Sequence, residues 1–314
     1  MSRPAEANLS DARGNRLGFA FFRLFMRVFG VSHACRFTAV PAFFYALFDR
    51  EAFACARGYL ASRFPRDTAL ALRWRFFRQI MSVGSSMVLQ HAVRMGYEIG
   101  HRETVDPSAR EVLEDSRRGV ILLMSHIGCW QAALPFVGFA GRRVNLLIQA
   151  NANRNVSAMF ADAPVSIIDN SLPFGGLLEC KAALERGEIV SIMGDREAGK
   201  GEGCIEMEML GRTMNIPTSP WLLAARTGAA LVPVVPVIDG SRRSMDISFC
   251  APIDVRHGGA TRPKASDFAP AVSAYAGILE RVAMERPYQI YHYTRIGAEK
   301  GKEKENGSGN PQIP

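Results

Sequence analysis

The run ILLMSHIGCW (121–130) joins a strand-like apolar stretch to residue types that can do acid–base chemistry. His126 follows the apolar residues directly, and Gly128 allows a sharp turn into the next segment, CWQAALPFVGF. In sheets of parallel strands, ligands bind beyond the carboxyl ends of the strands, so a histidine at such an end can act as a general base. A structural histidine that simply ends a strand is the alternative interpretation.

A second apolar run, EIVSIMGD, ends in Asp195 and is followed by Arg196. If both runs are strands of one sheet, their carboxyl ends lie at the same edge, and His126 comes close to these two charged residues. The three side chains form a candidate site for proton transfer and for binding of an anionic group. Arg196 can instead pair with Glu197 or Glu202.

The loop GDREAGKGEG (194–203) has the G-x-x-x-x-G-K spacing of phosphate-binding loops. The next residue is Gly201 instead of the Ser or Thr that would hold magnesium. The following GEGCIEMEMLGR alternates like an extended hairpin, whereas a phosphate loop opens a helix. A nucleotide site that depends on Lys200 is therefore an alternative that the sequence disfavours.

The cysteines predict neither disulfides nor a metal centre. The 6 cysteines are scattered, with no C-x-x-C pair and no His/Cys cluster at zinc spacing, which indicates reduced thiols and no structural metal. Cys129, three residues after His126, raises the hypothesis of a Cys/His nucleophile. A small apolar side chain at a buried junction is the interpretation that we favour for it.

The elements that must position these residues alternate in type. Continuous apolar runs predict strands buried on both faces, at 119–126, 143–149, 165–169, 188–195 and 229–238. Helical patterns with stop signals occupy 177–187, 219–228 and 266–287. This alternation predicts an α/β fold with a mostly parallel central sheet flanked by helices.

Charge and aromatic residues concentrate in the N-terminal part of the chain. The first 110 residues hold 16 Arg or Lys against 8 Asp or Glu, the remainder holds 22 of each, and 13 of the 19 phenylalanines lie in the first 77 residues. Such a composition suits the boundary between anionic headgroups and acyl chains. Nucleic acid is disfavoured, because the aromatics form apolar clusters instead of single rings set between cations.

The segment that begins near residue 17 predicts an amphipathic helix lying in an anionic membrane surface. On a helix, Arg16, Arg23 and Arg27 share one face, while the phenylalanines between them take other angles. The longest charge-free apolar run near the N-terminus, FTAVPAFFYALF (37–48), is shorter than the about 20 residues of a membrane span. An ordinary helix packed on the domain is the alternative.

Three stretches resemble the lipid A late acyltransferase family, a branch of the lysophospholipid acyltransferase superfamily, and above all its less characterised bacterial relatives. They are SHIGCWQAA, the run GDREAGKGEG…LVPVVPV (194–237) and GNRLGFAFFRLFMRVFG (14–30), and the likeness covers about residues 14–295. The resemblance implies a glycerolipid acyltransferase-like fold at the cytoplasmic face of a bacterial inner membrane, peripheral or monotopic. It also implies transfer of a fatty acyl group from acyl carrier protein or coenzyme A to a lipid or lipid-like acceptor, with no tightly bound cofactor.

The signature of that family is His, four residues, then Asp or Glu. His126 matches the histidine, which the resemblance makes the general base, but the acidic position holds Gln131. Gln131 can orient the imidazole without supplying negative charge. Three hypotheses stay open: Gln131 suffices, another carboxylate with Asp195 as the best candidate reaches His126, or the protein binds lipid or acyl carrier without catalysis. We expect backbone N–H groups near Gly128 to stabilise the oxyanion.

The resemblance also implies residues that bind substrate. Arg154 lies where the family binds the polar head of the acceptor, and an exposed arginine at the start of a helix is the alternative interpretation. Arg196 can pair with a phosphate or pantetheine group. Pro217 and Thr218, in NIPTSP, would shape the site beside a helix N-terminus, which attracts anions. Trp130 is expected to pack in the core or to line the groove for the acyl chain.

We divide the chain accordingly into four parts. These are a polar N-terminus (1–16), an amphipathic helical, membrane-associated region (17–100), an acyltransferase-like α/β core (101–297) and a disordered tail (298–314). The tail, AEKGKEKENGSGNPQIP, is assigned as disordered because it lacks apolar periodicity.

Overall fold

A computed structural model describes residues 16–136, 141–148, 165–195, 203–210, 212–239, 244–255 and 264–291. Arg154, Arg196 and the loop that contains Lys200 and Gly201 lie outside these ranges, as does the predicted tail. The other residues predicted to form the site lie within them.

The N-terminal part of the described chain is helical, with α1 (Arg16–Phe37), α2 (Ala39–Phe48), α3 (Arg50–Arg63) and α4 (Ala69–Arg94). Side chains cap two of these helices: Asp49 accepts a hydrogen bond from the N–H of Ala52 at the start of α3, and Thr68 accepts one from Ala71 at the start of α4. All three earlier helices pack against α4. This long helix therefore connects the N-terminal region to the rest of the molecule.

The strands that follow are β1 (Gly100–Val105), β2 (Val120–Met124), β3 (Val144–Ile148), β4 (Val165–Asp169), β5 (Ile189–Met193), β6 (Cys204–Met209), β7 (Arg212–Pro217), β8 (Ala230–Ile238) and β9 (Ser244–Phe249). Within the described ranges they form a seven-stranded sheet of order β1-β9-β8-β2-β5-β3-β4 and a separate β6–β7 hairpin. Neighbours in the large sheet are parallel except β8 and β9.

Helices connect and cover these strands: α5 (Pro107–Glu114), α6 (Trp130–Ala133), α7 (Leu177–Glu185), α8 (Ser219–Thr227) and α9 (Ala269–Glu285). The helix α8 starts with Pro220 in its first turn and ends at Gly228, which takes a left-handed φ of 69°. Short 3-10 helices precede α9 and follow it.

The predicted fold class is confirmed, since the sheet is mostly parallel and has helices on both faces. The five predicted strands correspond to β2, β3, β4, β5 and β8, and the stretch read as an extended hairpin forms β6 and β7. The sequence analysis missed β1 and β9. The strand β1, GHRETV, is almost wholly exposed and carries no apolar pattern. It is a strand because it pairs with β9, and its own sequence does not predict that pairing.

The core consists of two apolar clusters, one on each face of the large sheet. Along β2, Ile121 and Leu123 belong to the first cluster, and Val120, Leu122 and Met124 belong to the second. Side chains from α2, α3, the first half of α4, α7, α8 and α9 complete the first cluster, and side chains from α1, the second half of α4, α5 and α6 complete the second. Burial on both faces explains why the β2 sequence is apolar without alternation.

A buried arginine fastens the amino ends of the central strands, at the edge opposite to His126. The guanidinium of Arg142 donates to the carbonyl oxygens of Val112 and Leu113 at the end of α5, at 3.2 and 3.0 Å. It also donates to the carbonyl oxygens of Arg118 and Gly187, which precede β2 and β5. Burial lowers the pKa of Arg142 from its usual value. Its role is therefore to satisfy backbone carbonyls in the interior.

Candidate active site

The sheet places His126 and Asp195 side by side. The strands β2 and β5 are parallel neighbours in which Met124 pairs with Met193, and each of the two candidate residues lies two positions beyond its strand. The N–H of Gly194 donates to the carbonyl oxygen of Met124 at 2.8 Å, so the pairing continues past the strand ends. The two side chains therefore meet at the carboxyl edge, where α/β sheets bind ligands.

Asp195 holds His126 by two hydrogen bonds, one with the imidazole and one from the backbone N–H. The distance from His126 Nδ1 to Asp195 Oδ1 is 2.9 Å, and the backbone N–H of His126 donates to Asp195 Oδ2 at 2.5 Å. The carboxylate side chain is 4% exposed and the imidazole 21% exposed. When Nδ1 carries the proton that Asp195 accepts, Nε2 is the basic nitrogen of the ring. This arrangement has the geometry of a general base and the group that orients it.

A buried tyrosine and a glycine support this pair, and the sequence analysis singled out neither. Tyr275 of α9 donates its hydroxyl hydrogen to the carbonyl oxygen of Met124 at 2.9 Å. Burial, followed by the charge of Asp195, raises the pKa of Tyr275 well above its usual value, so the hydroxyl stays a neutral donor. A Cβ atom on Gly194 would lie 2.5 Å from Leu123 Cδ1 and 3.1 Å from the Tyr275 hydroxyl oxygen. Only glycine therefore lets the end of β5 approach this closely.

Gln131 lies in α6 at the position where the family signature has an acid, and it is partly buried. Among the described residues, the carboxylate that binds the imidazole belongs to Asp195, from a different strand. Of the three hypotheses left open by the sequence, the geometry favours the one in which Asp195 reaches His126.

Trp130 packs against the imidazole. Its ring meets the ring of His126 edge to face, with centroids 5.9 Å apart and an interplanar angle of 74°. Together with residues of β3 and β5, Trp130 lines an apolar cavity of about 10 Å³, roughly the space for one water molecule. In this conformation the tryptophan acts as a packing residue, and the cavity does not hold an acyl chain.

Gly128 is needed for the shape and close packing of the turn, whereas the sequence led us to expect its N–H to stabilise the oxyanion. Its φ is +59°, and a Cβ atom would lie 2.0 Å from the carbonyl oxygen of Pro236 in β8. The N–H of Gly128 donates to the carbonyl oxygen of Gln289 at 2.8 Å, and that of Cys129 donates to Pro236 at 3.1 Å. The expectation that backbone N–H groups at this turn bind the oxyanion is therefore wrong for Gly128 and Cys129, because both are already used within the fold.

Cys129 is fully buried, and burial raises the pKa of its thiol to about 12. The reactive form of a cysteine is the thiolate, which this environment disfavours. The geometry therefore agrees with a small apolar side chain and disfavours the Cys/His nucleophile.

Pro217 and Thr218 lie at the base of the β6–β7 hairpin. Pro217 ends β7, and the backbone N–H and hydroxyl of Thr218 both donate to the carbonyl oxygen of Gly203, at 2.6 and 2.8 Å. These bonds close the hairpin onto the start of α8. Within the described residues, the hydrogen bonds of Thr218 do not extend to His126 or Asp195.

A segment near the end of the described chain completes the surroundings of His126. We call residues 287–291, PYQIY, the C-terminal strap. The N–H of Tyr291 donates to the carbonyl oxygen of His126 at 3.1 Å, and Ile290 bridges Ile127 in antiparallel fashion. The sequence of this segment gave no sign of which loop it would bind.

The described residues hold no group of three or more His, Cys, Asp or Glu side chains able to bind a metal ion.

Comparison with known proteins gives a family match over nearly the whole chain. A family model described as bacterial lipid A biosynthesis acyltransferase matches residues 19–294. Among solved structures, the crystal structure of the 1-acyl-sn-glycerophosphate (LPA) acyltransferase, PlsC, from Thermotoga maritima is similar over 79% of this chain and 94% of that chain, with 12% sequence identity and a TM-score of 0.36. No curated protein matches the chain. The family match runs from α1 to just beyond the C-terminal strap.

Proposed function

Because the chain belongs to the bacterial lipid A biosynthesis acyltransferase family, it is an acyltransferase that acts on lipid-like substrates, and we propose that His126 is the general base of its reaction. The observation that carries the proposal is the 2.9 Å hydrogen bond between His126 Nδ1 and Asp195 Oδ1. A buried carboxylate at this nitrogen fixes the tautomer of the imidazole and stabilises the imidazolium that forms during proton transfer. This support favours catalysis over the non-catalytic binding protein that Gln131 alone suggested.

The proposed reaction moves one proton and one acyl group. Nε2 of His126 takes the proton from a hydroxyl or amine of the acceptor, whose oxygen or nitrogen attacks the thioester carbonyl carbon of the donor. The tetrahedral intermediate collapses with cleavage of the carbon–sulfur bond, and the imidazolium returns the proton to the departing sulfur. The acceptor leaves as an ester or amide, and the acyl carrier protein or coenzyme A leaves as a thiol.

The proposal includes a membrane surface as the place of reaction. We define the aromatic face as the large, exposed apolar side chains of α1 and α2: Phe21, Leu24, Val28, Phe29, Val40, Phe43, Phe44, Leu47 and Phe48. On α2 these residues recur every three or four positions, as on a helix that lies with one side in an apolar phase. Leu24 and Val28 are each 63% exposed and Phe48 is 69% exposed, which an aqueous surface alone does not explain.

Cations accompany the aromatic face. Arg23 and Arg27 are exposed on α1 between its apolar residues. Their charge complements anionic headgroups, such as those of a cytoplasmic leaflet. The search of the described helices found none that is long and apolar enough to cross a membrane. The exposed apolar side chains and the cations beside them are what support our proposal of peripheral or monotopic attachment through the aromatic face.

The proposal is tested by following label from donor to lipid. Purified protein is incubated with labelled acyl carrier protein or labelled acyl-coenzyme A, each with total bacterial lipid extract. His126→Ala should lower transfer by at least about 10²-fold, the usual contribution of a general base. His101→Ala, the same change on the exposed strand β1, is the control and should transfer at the wild-type rate.

Two outcomes would contradict the proposal. Undiminished transfer by His126→Ala would remove His126 from the reaction. Absence of transfer from both donors, in folded wild-type protein that still binds vesicles, would favour a lipid- or carrier-binding protein on the same fold. The labelled product otherwise identifies the acceptor and the preferred donor.

A further inference from the structure

The loop that carries His126 is held on one side by the C-terminal strap. The N–H of Gly128 donates to the carbonyl oxygen of Gln289 at 2.8 Å, and the N–H of Tyr291 donates to the carbonyl oxygen of His126 at 3.1 Å. The loop lies beyond the end of β2, and among the described residues of the sheet edge its contacts are with Asp195 and with Pro236 of β8. The strap therefore acts as a short additional strand for the residues on either side of Ile127.

The side chain of Gln289 fixes the strap to the sheet. Its Oε1 accepts from the N–H of Ile238 at 2.7 Å, and its Nε2 donates to the carbonyl oxygen of the same residue, also at 2.7 Å. Ile238 is the last residue of β8 and is 2% exposed. A primary amide can do this because it carries both a donor and an acceptor, like a peptide group. Gln289 thus binds the end of β8 through its side chain and the His126 loop through its backbone.

The helix α4 holds the strap and the loop from the other side. Gln79 is fully buried and donates from Nε2 to the carbonyl oxygen of Ile290 at 2.6 Å. The hydroxyl of Ser86 donates to the carbonyl oxygen of Gly128 at 2.9 Å. Buried polar networks of this kind make a local structure rigid, because each group loses its partner if its neighbour moves.

From these contacts we propose that Gln289 is a positioning residue for acyl transfer: it holds the strap against β8 so that the backbone of His126 stays where the imidazole meets Asp195. The inference rests on the proposed role of His126 as the base. Removal of the Gln289 amide would take from both backbone groups of Ile238 the partner that they have at this partly buried place. The strap would then shift or loosen, and a displacement of about 1 Å at a reacting group can cost 10²-fold in rate.

Tyr288, the neighbouring strap residue, provides a matched control. Its hydroxyl oxygen accepts from Arg75 at 2.8 Å and from Arg78 at 3.2 Å, both on α4. This hydroxyl anchors the same strap without binding β8 or the His126 loop. Tyr288→Phe removes one anchor of the strap and leaves the Gln289 amide in place.

The experiment compares Gln289→Met, Gln289→Glu and Tyr288→Phe with the wild type. Initial transfer rates are measured against donor concentration with total bacterial lipid extract, and hydrogen exchange is measured for the peptide that spans 125–130. Gln289→Met should lower kcat by about 10²-fold with the donor KM unchanged, and should speed exchange in that peptide. Gln289→Glu keeps an oxygen that accepts from the N–H of Ile238, so the fall in kcat should be smaller than in Gln289→Met. This variant replaces Gln289→Met in the comparison if the methionine variant does not fold. Tyr288→Phe should keep the wild-type kcat and exchange.

Several results would overturn the inference. A wild-type kcat in both Gln289 variants would be one such result. A fall of kcat in Tyr288→Phe as large as that in Gln289→Met would be another. The third would be a lower kcat in the Gln289 variants with unchanged hydrogen exchange at 125–130. Failure of the proposed function would look different, because His126→Ala would then transfer at the wild-type rate while the Gln289 variants still altered exchange.

Discussion

At the scale of single residues, the negative charge expected five positions after His126 comes from another part of the chain. Neighbouring strands in a sheet lie about 4.8 Å apart, so a carboxylate just beyond β5 reaches an imidazole just beyond β2. The family spacing placed the uncharged Gln131 at the acidic position, and the sequence made Asp195 the best candidate for a carboxylate from elsewhere, beside the hypotheses that Gln131 suffices or that the protein is not catalytic. The choice between them required the strand order, in which β5 lies next to β2.

We expect Asp195→Asn to impair transfer far more than Gln131→Ala. Loss of the charge next to a catalytic histidine costs about 10⁴ in rate in serine proteases, so a fall of about 10²–10⁴-fold is expected for Asp195→Asn. Gln131→Ala should stay close to the wild-type rate, since the imidazole is held by Asp195. Initial transfer rates from the labelled donor measure both. A larger loss for Gln131→Ala than for Asp195→Asn would restore Gln131 as the partner of His126.

The thiol of Cys129 should be inert in the folded protein. Its pKa is raised to about 12 by burial, so the thiolate becomes populated only as the pH approaches that value. Iodoacetamide should label the exposed Cys55 in native protein and Cys129 only after unfolding, as read by peptide mass spectrometry. Native labelling of Cys129 together with loss of transfer would support the nucleophile hypothesis instead.

At the scale of elements, the sequence predicted those strands that have a distinct pattern of apolar residues and did not predict those that lack one. The strands β2, β5 and β8 are buried on both faces and read as continuous apolar runs. The strand β9, SMDISF, has alternating burial over only six residues, too short a pattern to distinguish it from a loop. The strap binds the His126 loop through backbone groups, which every residue type possesses, so its sequence could not show that it binds this loop.

The amino ends of the strands should depend on Arg142. Arg142→Met would leave buried carbonyl oxygens of α5 and of the turns before β2 and β5 without a donor. We expect the free energy of unfolding to fall by about 3 kcal/mol, because each unsatisfied buried acceptor costs about 1–3 kcal/mol. Denaturant titration measures the change. Transfer activity per folded molecule should be unchanged, since Arg142 lies at the edge opposite to His126.

The adjacent Arg143 is the control for this substitution. Arg143 is exposed and donates to the hydroxyl of Ser166 at 2.9 Å. Arg143→Met should change the free energy of unfolding by less than about 0.5 kcal/mol, as is usual for surface positions. Equal effects of the two substitutions would show that loss of any arginine, and not loss of the buried donor, lowers stability.

At the scale of the whole molecule, the aromatic face should decide membrane binding. We expect Phe44→Ser/Phe48→Ser to weaken binding to anionic vesicles by about 10²-fold or more, since burial of one such side chain contributes about 1.5–3 kcal/mol. Cosedimentation with vesicles measures the partition. Leu178→Ser removes an apolar side chain of comparable exposure from α7 and should leave vesicle binding unchanged. Unaltered binding by the double variant would contradict attachment through α2.

The composition of the first 110 residues predicted the chemistry of the aromatic face, but not which residues form it. Of the phenylalanines in α1 and α2, Phe22 and Phe25 turn partly inward and Phe43, Phe44 and Phe48 face outward. The packing of α1 and α2 on α4 determines which of these phenylalanines are partly buried and which are exposed. Periodicity within one helix cannot show it, because it depends on where the neighbouring helix lies.

The position of the C-terminal strap in the chain has a consequence for biosynthesis. The ribosome synthesises β2, His126 and β5 long before Gln289 and Tyr291, which bind the His126 loop. In the same way, β1 has no strand to pair with until β9 has been synthesised. A nascent chain that ends after β8 can pair β2 with both of its neighbours, β5 and β8, but it lacks the strap that binds the loop after β2. We therefore expect competence for acyl transfer to arise only after the strap has been synthesised, and fragments that end before residue 287 to be folded in part yet inactive.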